Sequence, residues 1–334
     1  MKKGLIYLAI VFVILMVSGA ALVTDLWLYA NRPASENTDT IFIQVNPGQP
    51  LKITADNLYT RGLIQSPLRF NLIARLKGYD KKLQAGEYLL SSSMSPLKIL
   101  EKLIKGEVKL YRLTVPEGFN IYQIAELIAE AGFASRNDFI NAATDAMHVR
   151  QMGVQADTFE GYLFPDTYFF PKNISVQKII TIMVDRFWSM FKPEWKKQGE
   201  TYGLTVHQVV TLASIIEKET GAASERQIIS SVFHNRLKKR MRLESDPTVI
   251  YGIKDFDGNL TRKHLATPTP YNTYKIRGLP AGPIANPGQA SLEAALFPTN
   301  TPYIYFVSKQ DKTHHFSTNL KDHNDAVRKY QLIR

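Results

Sequence analysis

The sequence predicts an α+β protein built as an N-terminal transmembrane helix, a small βα subdomain and a larger mixed α/β domain. Three observations carry that reading. No charged residue occurs between Lys3 and Asp25. A unit of strand, glycine turn and amphipathic helix occurs twice, from Val45 and from Val115. Beyond residue 155, helical apolar periodicity alternates with short β-like runs and Gly/Pro loops. With 334 residues and 45% hydrophobic content, the chain can bury more than one core.

The N-terminal run of roughly twenty apolar or small residues is long enough to cross a bilayer. Lys2 and Lys3 before it predict a cytoplasmic N-terminus, and Trp27 and Tyr29 after it match the aromatic belt of a membrane interface. The rest of the chain is then extracytoplasmic. A cleaved signal peptide is the competing reading, since Ser18-Gly19-Ala20 is a small-residue cleavage site. The apolar run continues past that site through Leu22, Val23 and Leu26 to Leu28, which favours a retained anchor over residues 1–30. Residues 31–40, polar and containing Pro33, read as a linker, so removal of residues 1–30 is expected to leave a folded, soluble ectodomain.

The repeat aligns VNPGQPLKITADNLYTRGLI with VPEGFNIYQIAELIAEAGF without gaps, matching Gly48, Ala55 and Gly62 to Gly118, Ala125 and Gly132. Between the copies, GEYLLSSSMSPLKILEKLIKGE supplies a further strand and a helix beginning near Ser95-Pro96. The region 41–155 forms one domain on this reading, and 156–334 a second.

In the second domain, Thr205-Val-His-Gln208 fits a capping box that starts a helix ending near Gly221. At about 100° per residue, Val206, Val210, Ala213 and Glu217 fall on one stripe, with Glu219 opposite beside Gln208. A carboxyl on an apolar face resists ionisation and can hold a proton near neutral pH, as a general acid must. The alternative is a structural acid paired with a buried arginine. Glu219 reads as exposed or structural. A second capping box, Ser224-Glu-Arg-Gln227, begins the next helix.

The net charge of +11 fits an anionic polymer or lipid surface. Nucleic acid is not expected outside the membrane. The cluster Arg236–Arg242 reads as solvated cations at a helix end. With no cysteine, disulfides and thiolate chemistry are excluded. The histidines form no metal-binding spacing and the Gly/Pro run lacks the order of a phosphate loop, so neither metal nor cofactor is expected.

The front region resembles LysM-like subdomains, which bind N-acetylglucosamine-containing glycans; a spacer domain is the alternative. Several longer segments together resemble the MltG/YceG-like family of endolytic murein transglycosylases: EGYLFPDTY (160–168), LASIIEKET (212–220), ASERQIISSVFHNRL (223–237), SDPTVIYG (245–252), TPYNTYKIRGLPAGPIANPG (269–288) and TPYIYFV (301–307). The resemblance makes Glu217 the catalytic acid of a catalytic helix. It implies cleavage of the β-1,4 bond between N-acetylmuramic acid and N-acetylglucosamine, leaving a 1,6-anhydro end. It further implies peptidoglycan strands as substrate, peptidoglycan synthases as partners and the bacterial inner membrane as location. Tyr168, Asp246, Tyr251, Tyr271 and Asn272 are the expected substrate-binding residues, because they lie in these segments. Glu160, Asp166 and Asp246 are candidates for a second carboxylate, with turn-shaping as the alternative for the two aspartates. A non-catalytic glycan-binding scaffold and a hydrolytic muramidase remain alternatives.

Overall fold

The computed structural model describes residues 2–332, with side chains from Gly4 onward. The Lys2 and Lys3 side chains, on which the expected orientation of the anchor rests, lie outside the described residues. Helix α1 (Lys2–Asn31) is continuous through the small-residue stretch, and Gly4–Asn31 is long and apolar enough to cross a membrane.

The chain forms two compact units. The first holds the chain up to Tyr111 together with Phe169–Asn173. It contains α1, β1 (Thr40–Val45), α2 (Leu51–Thr60), α3 (Pro67–Leu76), β2 (Gly86–Ser91) and α4 (Pro96–Lys105). Strands β1 and β2 pair antiparallel, with Thr40 opposite Ser91 and Val45 opposite Gly86. Alternation places Ile43 and Val45 on one face against Leu58, Phe70 and Leu103, in a single buried cluster. The Ser95-Pro96 start of α4 is as expected: the Ser95 side chain accepts from the Lys98 amide and Pro96 occupies the first turn.

The end of α1 belongs to this core. Tyr29 and Ala30 are buried in it, Leu26 packs against it, and the Tyr29 hydroxyl donates to the Ser66 carbonyl at 2.7 Å. The expectation that the ectodomain folds without residues 1–30 therefore needs correction, because that cut removes core side chains.

The second unit comprises Arg112–Tyr168 and Ile174 onward. Strands β3 (Leu110–Thr114) and β4 (Thr167–Pro171) pair, and the division between units falls within both. There follow α5 (Ile121–Glu130), α6 (Arg136–Ala143) and α7 (Ala146–Gln151), then after β4 α8 (Val176–Met190), α9 (Pro193–Thr201) and α10 (Val206–Glu219). Next come α11 (Arg226–Lys238), α12 (Asp246–Tyr251), α13 (Arg262–Ala266), α14 (Gln289–Leu296), the antiparallel pair β5 (Tyr305–Ser308) and β6 (His314–Ser317), and α15 (Leu320–Val327).

The units part at Tyr111 and Arg112, whereas the sequence reading placed the boundary after residue 155. The repeat is real in local geometry. Each copy gives a ten-residue helix, α2 and α5. The paired glycines share left-handed φ values of 73° and 76° at Gly48 and Gly118, and 71° and 67° at Gly62 and Gly132. The two copies belong to different units, however. The second packs α5 against α6 and loops of the later sequence, which periodicity alone does not reveal.

Helix α10 starts with the expected capping box, Thr205 accepting from the Gln208 amide and Gln208 returning a bond. It differs from expectation in its surroundings. Val209 through Ile216 are all buried, so this helix is central rather than a surface helix with one apolar stripe. Its Ser214 hydroxyl accepts from the Ile284 amide at 3.0 Å, and α14 packs along it. It ends with Thr220 in extended conformation, one residue before the glycine expected to stop it. The Ser224 box does not form. A single turn, Ala223–Glu225, precedes α11 instead. Arg236 is likewise not a solvated cation: its guanidinium is buried and donates to the carbonyls of Ile304, Arg242 and Leu243 and to Glu244.

Candidate active site

Glu217 emerges at the C-terminal end of α10, where the helix leaves the core, and is half-buried. Its Oε2 accepts from the Gly288 backbone N–H at 3.1 Å. Gly288 is the N-cap of α14, so the carboxyl faces a helix N-terminus, where negative charge is favoured.

Glu117 shares this corner. Its carboxyl is packed so closely on the Gly288 α-carbon that a side chain on residue 288 would overlap it. Burial first, and the charge of Glu217 second, push the Glu117 carboxyl up, with Arg226 opposing. Lys218 donates to the Gly118 carbonyl at 3.3 Å, which ties the Glu117-Gly118 turn to the end of α10.

Asn286 holds the corner together. Its backbone N–H donates to the Phe119 carbonyl at 2.8 Å and its carbonyl accepts from Gly118 at 2.9 Å. Its Oδ1 accepts from the Leu163 amide at 2.8 Å, and its Nδ2 donates to Phe119 O and to Glu160 Oε1. Four segments far apart in sequence, at 118–119, 160–163, 217–218 and 286–288, are thereby fixed to one another.

Glu160 is the deepest acid, 2% exposed. It accepts from the Ile121 amide at the start of α5, from Tyr251 Oη at 2.9 Å and from Asn286 Nδ2 at 3.0 Å. Burial nevertheless wins, pushing its carboxyl up to about 7 against these donors. The neighbouring Gly161 adopts φ +87°, and a β-carbon there would strike Pro283 and Val210. Only glycine lets this loop approach α10 so closely.

Of the five expected substrate-binding residues, the structure brings Tyr251 and Tyr271 together. Their rings lie 4.8 Å apart edge to face, both half-buried, with the exposed Tyr122 nearby in charge range. Asp246 begins α12, the helix that ends at Tyr251, and accepts from Tyr274 Oη at 2.7 Å. Tyr168 is buried and donates its hydroxyl to the Phe164 carbonyl. Asn272 is fully buried, with its amide spent on the carbonyls of His264, Leu265 and Thr267 and its Oδ1 on the Tyr274 amide. Both therefore hold loops in place. Asp166 pairs with Arg186 at 2.7 Å.

Of the two readings of Glu219, exposed or structural, the geometry fits the structural one. The face of α10 that carries it meets the start of α12, where the Ser245 hydroxyl donates to it at 2.6 Å. Burial pushes it up to about 7, with Asp246 adding to the rise. The helical wheel placed it opposite Glu217 correctly but left open whether that side meets solvent.

Sequence reasoning missed Glu117, Asn286 and Gly288. A signal for Glu117 exists in the repeat: where the first copy has Pro47, the second has Glu117 beside the same turn glycine. Nothing local distinguishes Asn286, whose role arises from contacts more than a hundred residues away.

The arrangement is that of an α+β protein with two carboxyls at one helix N-terminus and tyrosine rings on neighbouring segments. The profile of the YceG-like family matches residues 43–329, and the chain belongs to that family. It is 36% identical over 314 residues to an endolytic murein transglycosylase of Bacillus subtilis, covering 88% of this chain and 86% of the relative. A Streptococcus pneumoniae protein of the same name is 29% identical over 97% of this chain, which spans 65% of that longer relative. Among solved structures, a YceG-like protein of Listeria monocytogenes superposes with a TM-score of 0.61 at 32% identity, covering 86% of this chain and 99% of that one.

Proposed function

We infer that this chain is an endolytic murein transglycosylase that cleaves peptidoglycan strands. The observation that carries the assignment is the Glu217–Gly288 contact beside Glu117, in a chain 36% identical to a relative of that name. In this reading Glu217 protonates the glycosidic oxygen between N-acetylmuramic acid and N-acetylglucosamine. It then accepts the proton of the muramoyl C6 hydroxyl as that oxygen attacks the anomeric carbon, so the enzyme is a lyase leaving a 1,6-anhydro end. Glu117 lies beside Glu217 on the same glycine, Gly288. Tyr251 and Tyr271 offer ring faces to the sugars.

A hydrolytic muramidase would need a second carboxylate with access to water. Glu160 is poorly suited to that task, being buried with its oxygens occupied by three donors. Asp166 and Asp246 are held by Arg186 and Tyr274. Glu117, exposed and beside Glu217 on Gly288, is the carboxyl a hydrolytic route would use. The substrate's own hydroxyl needs no such base, since an intramolecular group enjoys a high effective concentration, and the product end group separates the two.

The N-terminal helix acts as a retained single-pass anchor with the body of the protein outside the bacterial inner membrane. Burial of Tyr29 and Ala30 supports retention, because α1 is then structural as well as targeting. Of the region 41–155 read as LysM-like, the part up to Tyr111 that lies in the first unit serves as the glycan-binding element, and peptidoglycan synthases are the expected partners. Incubation of purified glycan strands with wild type and Glu217→Gln tests the assignment: cleavage by the first and none by the second is expected, and equal cleavage would refute it.

A further inference from the structure

Helix α3 turns one face to its own unit and, among the described residues, leaves Leu68 and Leu76 uncovered, with Leu68 and Leu72 on the wall of an open cleft that Lys52, Asp56 and Asp80 also line. Phe70, Ile73 and Ala74 are buried, whereas Leu68 and Leu76 are 78% and 72% exposed, with Leu72 between them at the i, i+4, i+8 spacing of one stripe. The helix carries Arg69 and Arg75 and no acidic residue, and Lys77 follows it.

The way α3 is tied to α1 supplies the occupant. Tyr29 meets Ser66 at the start of α3. Asp25, one turn earlier in α1, meets Arg69, one turn later in α3, at 3.1 Å. The order is reversed, so α3 runs back along α1 toward its apolar segment. Asp25 is the first charge after that segment and marks the membrane surface. At about 1.5 Å per residue, Leu76 lies about 10 Å further along than Arg69. That is comparable to the depth of about 5–10 Å at which interfacial helices bury their apolar faces.

We propose that the Leu68–Leu72–Leu76 face of α3 docks on the phospholipid bilayer, with Arg75 and Lys77 meeting anionic headgroups while Arg69 stays paired with Asp25. Arginine suits this position because its stem lies along apolar surface while the guanidinium remains at the phosphates. The first unit would then be held against the membrane at two places, which fixes its tilt rather than leaving it to swing on one helix. The proposal rests on the reading of α1 as a membrane anchor.

The chain has no cysteine, so single cysteines can be spin-labelled in the full-length protein. Leu68→Cys, Leu76→Cys, Val13→Cys in the anchor and Lys196→Cys on the exposed surface of α9 are reconstituted in phosphatidylcholine vesicles containing phosphatidylglycerol. Collision with oxygen and with a water-soluble nickel chelate is then compared. Docking predicts that the label at 76, like that at 13, collides several-fold more with oxygen relative to the chelate than the label at 196 does, and that the label at 68, level with Asp25, falls between them. Omission of phosphatidylglycerol should reduce the ratio at 68 and 76 but not at 13. A lipid-buried label at 13 with chelate-exposed labels at 68 and 76 overturns the docking and leaves the anchor standing. A chelate-exposed label at 13 overturns the anchor itself. An unchanged ratio at 68 and 76 in neutral vesicles overturns the role of anionic headgroups.

Discussion

Glu217 Oε2 accepts the backbone N–H of Gly288 at 3.1 Å, and the Glu117 carboxyl is packed on the same glycine. One residue therefore sets the position of both acids. A backbone donor cannot rotate away as a side chain can, so Glu217 is held ready rather than recruited on binding.

Glu217→Gln is expected to fold normally and to lose on the order of 10² to 10⁴ in cleavage rate, the usual contribution of a general acid. Its Oε can still accept from Gly288, but the amide delivers no proton. Glu219→Gln should keep most of the activity and alter stability instead, because Glu219 is half-buried and accepts from the Ser245 hydroxyl. Thermal melts and rates measured on both variants decide the matter, and the reverse pattern would exchange the two roles.

Gly288→Ala is expected to displace the Glu117 carboxyl, which is the mobile end of a side chain and can move without unfolding the loop. Activity should fall to the level of Glu117→Gln with little change in melting temperature. If Gly288→Ala is inactive while Glu117→Gln is fully active, Glu117 has no part in the reaction.

The contribution of Glu160 to stability should fall as pH rises from about 5 to above 7, opposed by His207, His234 and His323, which burial holds low and whose contributions grow as pH rises. Burial raises the Glu160 carboxyl from 4.5 to about 7, so the folded state binds protons more tightly than the unfolded chain. Its contribution is full below the unfolded value and is lost as pH passes through about 7. The shift corresponds to on the order of 3 kcal/mol. Glu219 shifts in the same direction, so Glu160→Gln should remove only the Glu160 share of this fall from the pH slope of denaturant unfolding. An unaltered slope would show that Glu160 does not titrate in this range.

Removal of residues 1–24 should leave a folded ectodomain, whereas removal of 1–30 should destabilise the first unit. The second cut takes Tyr29 with its bond to Ser66 and the Asp25–Arg69 pair. Loss of a buried aromatic side chain costs about 3–5 kcal/mol. Unfolding curves for the two truncated proteins give the comparison, and identical stability would mean the end of α1 contributes nothing.

The parts of this structure legible in the sequence are those fixed by neighbours. The N-terminal apolar run, the Thr205 capping box, the Ser95-Pro96 helix start and the glycine turns of the repeat all follow from residues within a few positions. What was not legible depends on long-range assembly. Whether the far side of α10 meets water or α12 decides the environment of Glu219, and periodicity cannot say which. Likewise Asn272 and Asn286 look alike as loop asparagines. One is consumed by carbonyls of its own loop, the other bonds segments at 119, 160 and 163.

The product end group tests the central claim most directly. Glycan strands cleaved by the purified protein in heavy-oxygen water and analysed by mass spectrometry should carry 1,6-anhydromuramoyl ends with no heavy oxygen, from cuts internal to the strand. Heavy oxygen at new reducing ends would show hydrolysis and contradict the single-acid account of Glu217.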